Sequence, residues 1–233
     1  MWVLSIDTAT KVTGLAIHRD TELVAEAFLH TGTNHSERIV PMIHQLLANA
    51  QIKFADLDAV AVASGPGSFT GLRIGMATAK GIAQVRGIKL VGINTLDGIA
   101  QNGLGFDGLV APILDARKNE VYTALYRSSG HEISRIADYE AVAPQTMLEK
   151  LKAQEEKVLF LGDAVFIYRK SIEEMLKEQA VFLPDRMCLP RAAQIGALAV
   201  ERLARGESDN LFNLTPFYIR QSEAEVTWAK RFG

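Results

Sequence analysis

Apolar and polar positions along the chain change their period repeatedly, and the changes lay out its elements. Trp2 to Ile6 is an apolar, β-branched run that predicts a strand. Asp7-Thr8-Ala9-Thr10-Lys11 is a polar turn, Val12 to His18 the return strand and Glu22 to Leu29 a third, so the chain opens on a β-meander. After the loop Thr31-Gly32-Thr33-Asn34 the period becomes helical, from Ser36 to Ala50, with Ile39, Val40, Met42, Ile43, Leu46 and Leu47 on one stripe. Ser36 or Asn34 can cap this helix, Glu37 favours its positive end, and Pro41 should bend it. Ala59 to Ala63 reads as a buried strand, followed by a glycine-rich turn and a helix to about Gln84 that Gly87 ends. Ile88 to Ile93 is a strand, and Thr95 to Gln101 a short helix capped by Asn94 or Thr95.

Three glycines between Gly103 and Gly108 mark the best boundary in the chain, dividing it into 1–105 and 106–233. The opening theme then recurs. Leu109 to Leu114 is a strand ending at Asp115, Ala116-Arg117-Lys118-Asn119 a polar turn, and Glu120 to Tyr126 the return strand. A strand near Ile133 to Ala137, a helix from Gln145 to Gln154, a strand from Val158 to Gly162 and a helix from Ala164 to Gln179 follow. Val181 to Leu183 is a short strand closed by Pro184, and Ala192 to Arg205 an amphipathic helix ended by Gly206. Leu214 to Gly233 has no assignable period, and there is room for the last helix or the tail to lie back on the first half. The alternation predicts an α/β fold of mixed sheets covered by helices, in two halves that each open on a hairpin with an acid at its tip.

The stretch around which the rest is arranged is Ser64-Gly65-Pro66-Gly67-Ser68-Phe69-Thr70-Gly71-Leu72-Arg73-Ile74-Gly75. Strand, glycine-rich turn and helix N-terminus form a layout that often holds phosphate. No Lys followed by Ser or Thr is present, so it is not a Walker A loop, and its glycine spacing is one residue longer than the dinucleotide fingerprint. Ser68 or Thr70 can cap the helix that follows. Gly71, Gly75 and Ala79 stand four apart on one helix face, where glycine costs about 1 kcal/mol against alanine. Close approach of another backbone explains them, either inside the domain or from a partner.

Composition narrows the chemistry. Hydrophobic residues at 48% and charged residues at 22% are ordinary globular values, enough for a sizeable core. A net charge of -2 argues against a broad electrostatic footprint for nucleic acid. Cys188 is the only cysteine, which excludes an intrachain disulfide or a cysteine-based zinc site, and a reducing, cytoplasmic setting is expected. The start lacks the basic region of a signal peptide, and no apolar run is long enough to span a membrane. Among His18, His30, His35, His44 and His131 no pair has the i, i+4 spacing of a helical metal site. Ser64 and Ser68 lack the nucleophile-elbow context. Asp7 and Asp115 read either as paired carboxylates across a cleft or as strand-end acids that satisfy turn amides.

Two halves that each open on an acid-tipped hairpin resemble the actin, Hsp70 and sugar-kinase (ASKHA) architecture, whose hairpins face each other across a nucleotide cleft. Neither Asp7-Thr8-Ala9-Thr10 nor Asp115-Ala116-Arg117-Lys118 carries the glycine that such a cleft needs beside its acid, so independent ATP hydrolysis is not expected. The stretch from Ser64 to Gly75, with Ile6-Asp7-Thr8, His35-Ser36-Glu37, Asp115-Ala116-Arg117 and Glu120-Val121-Tyr122, resembles the bacterial TsaB family, formerly YeaZ. The resemblance runs to about Tyr126 and beyond that rests on length and pattern.

This resemblance implies a two-lobed actin-like fold and a part in making N6-threonylcarbamoyladenosine at position 37 of tRNAs that read ANN codons. It implies a non-catalytic partner of TsaD, which carries the metal site and the transferase chemistry, with TsaE as the ATPase. No catalytic residue, metal site or cofactor is then expected in the isolated chain, since ATP and a divalent metal belong to the partner subunits. Contact with tRNA would be indirect, and Asp7 and Asp115 would be vestigial cleft acids. The resemblance also implies self-association through the helices after His35 and after Thr70, on the surface that TsaD takes. The expected interface is Arg38, Ile39, Met42, Ile43 and Leu46 on the first helix and Gly71, Leu72, Gly75, Met76 and Ala79 on the second. The rivals are an ATP-dependent phosphotransferase and an M22 glycoprotease-like metallopeptidase of the same fold.

Overall fold

The computed structural model describes residues 1–30 and 35–220, so the loop expected at 31–34, an Asn34 cap and everything after Arg220 lie outside it. The meander forms as β1 (Trp2–Asp7), β2 (Val12–Arg19) and β3 (Glu22–His30). With β4 (Ala59–Gly65) and β5 (Lys89–Asn94) it makes a five-stranded sheet, ordered β3-β2-β1-β4-β5. β1, β4 and β5 run parallel. Every residue of β4 is buried, as expected for a central parallel strand covered on both faces.

α1 (His35–Asn49) and α2 (Phe69–Arg86) cover one face of this sheet. Ile39, Ile43, Leu46 and Leu47 of α1 are buried there, each worth about 1.5–3 kcal/mol on leaving water. Gly87 closes α2 in the left-handed conformation, with φ 64°, as a glycine stop should. α3 (Thr95–Ala100) is capped by Asn94, whose side chain accepts from the Leu96 amide.

The second sheet has seven strands: β6 (Gly108–Asp115), β7 (Val121–Thr123), β8 (Tyr126–Ser129), β9 (Glu132–Arg135), β10 (Glu140–Val142), β11 (Val158–Leu161) and β12 (Ala180–Phe182). α4 (Pro144–Lys152) and α5 (Val165–Leu176) cover one face. α6 (Asp185–Cys188) and α7 (Ala192–Ala204) complete the described helices.

Two helices cross between the halves. α3 buries Leu96, Ile99 and Ala100 against Val110, Leu114 and Leu161 of the second sheet. α7 buries Ile195, Ala199 and Leu203 against Val3, Ala61 and Val91 of the first. Tyr126 and Tyr139 of the second half donate to the Asp97 carboxylate on α3, at 2.6 Å and 2.8 Å.

Four elements differ from the expectation, one of them β10, since no strand was expected between Ala137 and Pro144. The return strand Glu120 to Tyr126 is broken at Ala124-Leu125, because its first part pairs with the end of β6 and its second with the start of β6, as β7 and β8. The Leu125 carbonyl at the break accepts from the Ile136 and Ala137 amides instead. The helix expected to reach Gln179 ends at Leu176, where Lys177 turns to φ 50°. α6 carried no periodic signal, being four residues long.

Candidate functional site

The glycine-rich stretch is occupied by its own chain. Ser68 caps α2, its Oγ accepting from the Gly71 amide at 3.3 Å. The Ser68 amide donates to the Ala9 carbonyl at 2.6 Å, and the Gly65 amide to Thr95 Oγ1 at 3.1 Å. A Cβ on Gly67 would overlap the Ala9 carbonyl, one on Gly71 the Thr8 carbonyl, and one on Gly75 the Thr8 hydroxyl. Thr8 Oγ1 in turn donates to the Gly71 carbonyl at 2.7 Å. The glycines therefore let α2 press against the first hairpin, and the Gly65, Ser68 and Gly71 amides, which a phosphate could otherwise use, are bonded within the fold. Pro66 in this loop is buried and follows a cis bond.

A strap formed by 205–220 closes the other side. Asp209 pairs with β5, its amide donating to the Leu90 carbonyl and its carboxylate accepting from the Gly92 amide. The Phe217 amide donates to the Ser64 carbonyl at 2.7 Å, and the Phe217 carbonyl sits where a side chain on Gly65 would be. Tyr218 stacks on Phe69 at 4.6 Å, while the Arg73 guanidinium lies 3.9 Å from the centre of the Phe69 ring. Arg220 pairs with Glu120 of the second hairpin at 2.5 Å. The strap thus lies back on the first half, and it ties the glycine-rich loop to the second.

The two hairpin acids differ. Asp7 is buried, accepts from the Ala9 amide at 2.9 Å, and is pushed up to about 6 by loss of solvent, against the pull of that amide. Asp115 is part-exposed and accepts from the Arg117 amide at 2.8 Å, with the Arg117 guanidinium at 3.5 Å. Arg117, Lys118 and Asn119 all have positive φ, between 52° and 62°, which bulky side chains adopt at a cost. Both acids satisfy turn amides, as one of the two readings required. Asp163, which sequence reasoning passed over, accepts from the Asp115 amide at 3.1 Å. Burial raises its pKa, the Asp115 amide opposes that, and Lys11 of the first hairpin also pulls it down. No cluster of three or more His, Cys, Asp or Glu side chains suited to a metal exists among the described residues.

α2 presents a second face outward. Ala77, Gly81 and Val85 stand four apart and are exposed, Val85 at 81%. A Cβ on Gly81 would meet nothing within 4 Å. Beside α2, Val40 of α1 is 62% exposed.

The comparisons with known proteins agree with this fold. A family model described as "TsaD: tRNA N6-adenosine threonylcarbamoyltransferase" matches residues 29–228. A Bacillus subtilis protein named "tRNA threonylcarbamoyladenosine biosynthesis protein TsaB" is 35% identical over 228 residues, covering 98% of each chain. The Escherichia coli protein of the same name is 30% identical, covering 99% of this chain and 98% of that one. The chain belongs to the TsaB family. A solved Pseudomonas aeruginosa structure, described as an uncharacterized protein with similarity to peptidase YEAZ, superposes with a TM-score of 0.81 at 26% identity, covering 94% of this chain and 99% of that one. The (R)-2-hydroxyglutaryl-CoA dehydratase component A of Acidaminococcus fermentans shares the fold at a TM-score of 0.53 and 14% identity. The architecture is the two-lobed actin-like (ASKHA) one.

Seen in this TsaB-family chain, the interface set expected from sequence separates into two groups. Ile39, Ile43 and Leu46 of α1, and Gly71, Leu72, Gly75, Met76 and Ala79 of α2, are buried in the first lobe. Their assignment to a partner surface is corrected: Thr8 requires the bare backbone at Gly71 and Gly75, and the sheet takes the apolar stripes. Arg38 and Met42 are half-buried and reach the surface. The outward residues Ala77 and Gly81 lie outside that set, although Gly81, a glycine within a helix, is the signal that points to them. His35 anchors α1 to the first hairpin, its Nδ1 lying 2.6 Å from Thr13 Oγ1.

Proposed function

We propose that the chain acts in tRNA threonylcarbamoyladenosine biosynthesis as a non-catalytic partner subunit of a TsaD-type transferase. In this reading TsaD performs the threonylcarbamoyl transfer to adenosine 37, TsaE supplies the ATPase, and ATP and the divalent metal reside on those subunits. The docking face is the outward side of α2, with Arg38, Val40 and Met42 of α1 beside it. The chain forms a homodimer through the same face when alone, so homodimer and heterodimer compete, and tRNA is reached through the partner.

One observation carries the reading. The glycine-rich loop, which an enzyme of this fold would keep open, is filled by Ala9 on one side and Phe217 on the other, while Gly81 on the same helix stands bare toward solvent. A helix interior that tolerates glycine without an internal contact is suited to close approach by a second backbone. Nucleotide binding supports the rival phosphotransferase reading, and a titration of the isolated chain with ATP and magnesium should give no saturable heat. The direct test is reconstitution. Modification of tRNA by TsaD and TsaE should require this chain and should be lost with Ala77→Arg, which puts charge and bulk on the face without touching the core. Normal modification in the absence of the chain, or with Ala77→Arg, refutes the proposal.

A further inference from the structure

Single exposed hydrophobic side chains are common on protein surfaces and need no explanation. Phe212 differs in how it is held. It is 78% exposed at the tip of a turn in the strap, yet hydrogen bonds and the two leucines beside it hold the turn. Asn210 Oδ1 accepts from the Phe212 and Asn213 amides at 2.9 Å and 3.1 Å, and the Asn210 carbonyl accepts from the Leu214 amide at 3.0 Å. Leu211 and Leu214, flanking the ring, pack against the core of the first lobe. Asp209, just before the turn, is bound to β5 and to Arg202. The backbone at Phe212 therefore has little freedom left to lose on binding.

The turn also borders the proposed docking face. Lys80 Nζ of α2 donates to the Phe212 carbonyl at 3.5 Å, and Arg73, seven residues earlier on the same flank, touches Tyr218 of the strap. Gly81 follows Lys80 and turns outward. A rigidly presented aromatic beside a face of small residues has the properties of an interface anchor: large apolar area, few rotamers to freeze and a backbone already ordered.

We propose that Phe212 is an anchor for the TsaD-type subunit, its ring entering an apolar pocket of the partner that covers Ala77 and Gly81. This rests on the reading that the partner docks on the outer face of α2. The test uses the full chain and a purified TsaD-type subunit, with affinity measured by calorimetry, self-association by sedimentation and fold integrity by thermal melting. Phe212→Ala should melt as wild type and bind the partner roughly ten- to hundredfold more weakly, as expected for loss of an aromatic anchor. Phe212→Leu should keep most of the affinity. If Ala77→Arg abolishes binding and Phe212→Ala binds as wild type, the anchor is refuted and the docking face stands. If Ala77→Arg binds normally, the docking face itself is refuted. Weakened self-association with an unchanged partner affinity also overturns the proposal, because the ring then serves a second copy of this chain.

Discussion

The inner and outer faces of α2 use the same residue type for opposite reasons. Gly71 and Gly75 face inward, where the Thr8 carbonyl and hydroxyl occupy the space of their missing side chains. Gly81, six residues beyond Gly75, faces outward into open space. A glycine inside a helix costs about 1 kcal/mol wherever it stands. On the inner face that cost is recovered within the chain, by the Thr8 hydrogen bond and by closure of the first hairpin on the helix. On the outer face nothing described in the chain recovers it. Spacing left the first pair open between the domain and a partner, and the family resemblance assigned it to the partner; the surroundings of each residue place that pair inside the lobe and leave Gly81 open.

The largest effect should come from Gly71→Ala. The added methyl meets backbone, not a flexible side chain, so helix and hairpin must separate. A loss of about 3 kcal/mol is expected by urea unfolding. A variant as stable as wild type would break the inner half of the comparison.

Asp7, just before Thr8, sharpens the same side through its charge. Burial raises its carboxyl to about 6 from an ordinary 3.8, so between these two values the folded state holds a proton that the unfolded chain has released. Its favourable contribution is complete below about pH 4 and is lost as pH rises through about 6. Asp7→Asn keeps an acceptor for the Ala9 amide and removes the buried charge. It should be more stable than wild type by about 2–3 kcal/mol at pH 7.5, and the gap should close by pH 4. A gap that does not change with pH would contradict the buried-charge account.

Thr8→Val tests the hydrogen bond with its shape nearly preserved. Removal of the 2.7 Å donor to the Gly71 carbonyl should cost about 1–2 kcal/mol. Denaturation midpoints of Thr8→Val and Gly71→Ala, alone and combined, should be non-additive, because both act at one contact.

The smallest effect has the opposite sign. Gly81→Ala should stabilise the isolated chain by about 1 kcal/mol, since the methyl meets no neighbour and helix propensity improves. The same substitution should weaken the partner complex if backbones meet there. A destabilised Gly81→Ala monomer would show that the outer face is not open.

Much of the architecture was legible in the chain. Periodicity placed the meander, α1, β4, α2 and β5 almost to the residue, because each has one strong pattern and a clear stop such as Gly87 or Asn94. The repeated strand–acid–turn–strand theme indicated two lobes, and the stretch from Ser64 to Gly75 indicated the family. Tertiary structure alone decided what these residues face. Gly71 and Gly81 are both glycines of one helix, and the return of Thr8 from 63 residues earlier than Gly71 fills the space beside that residue and leaves Gly81 bare. The split of β7 from β8 depends on which stretch of β6 each half meets. The strap lacks a period because long-range contacts hold it, from Ser64, Gly92 and Glu120 to single side chains and amides of 209–220. Periodicity reports which face of an element is apolar; it cannot report which distant segment that face will meet, and here that meeting separates the buried face of α2 from its open one.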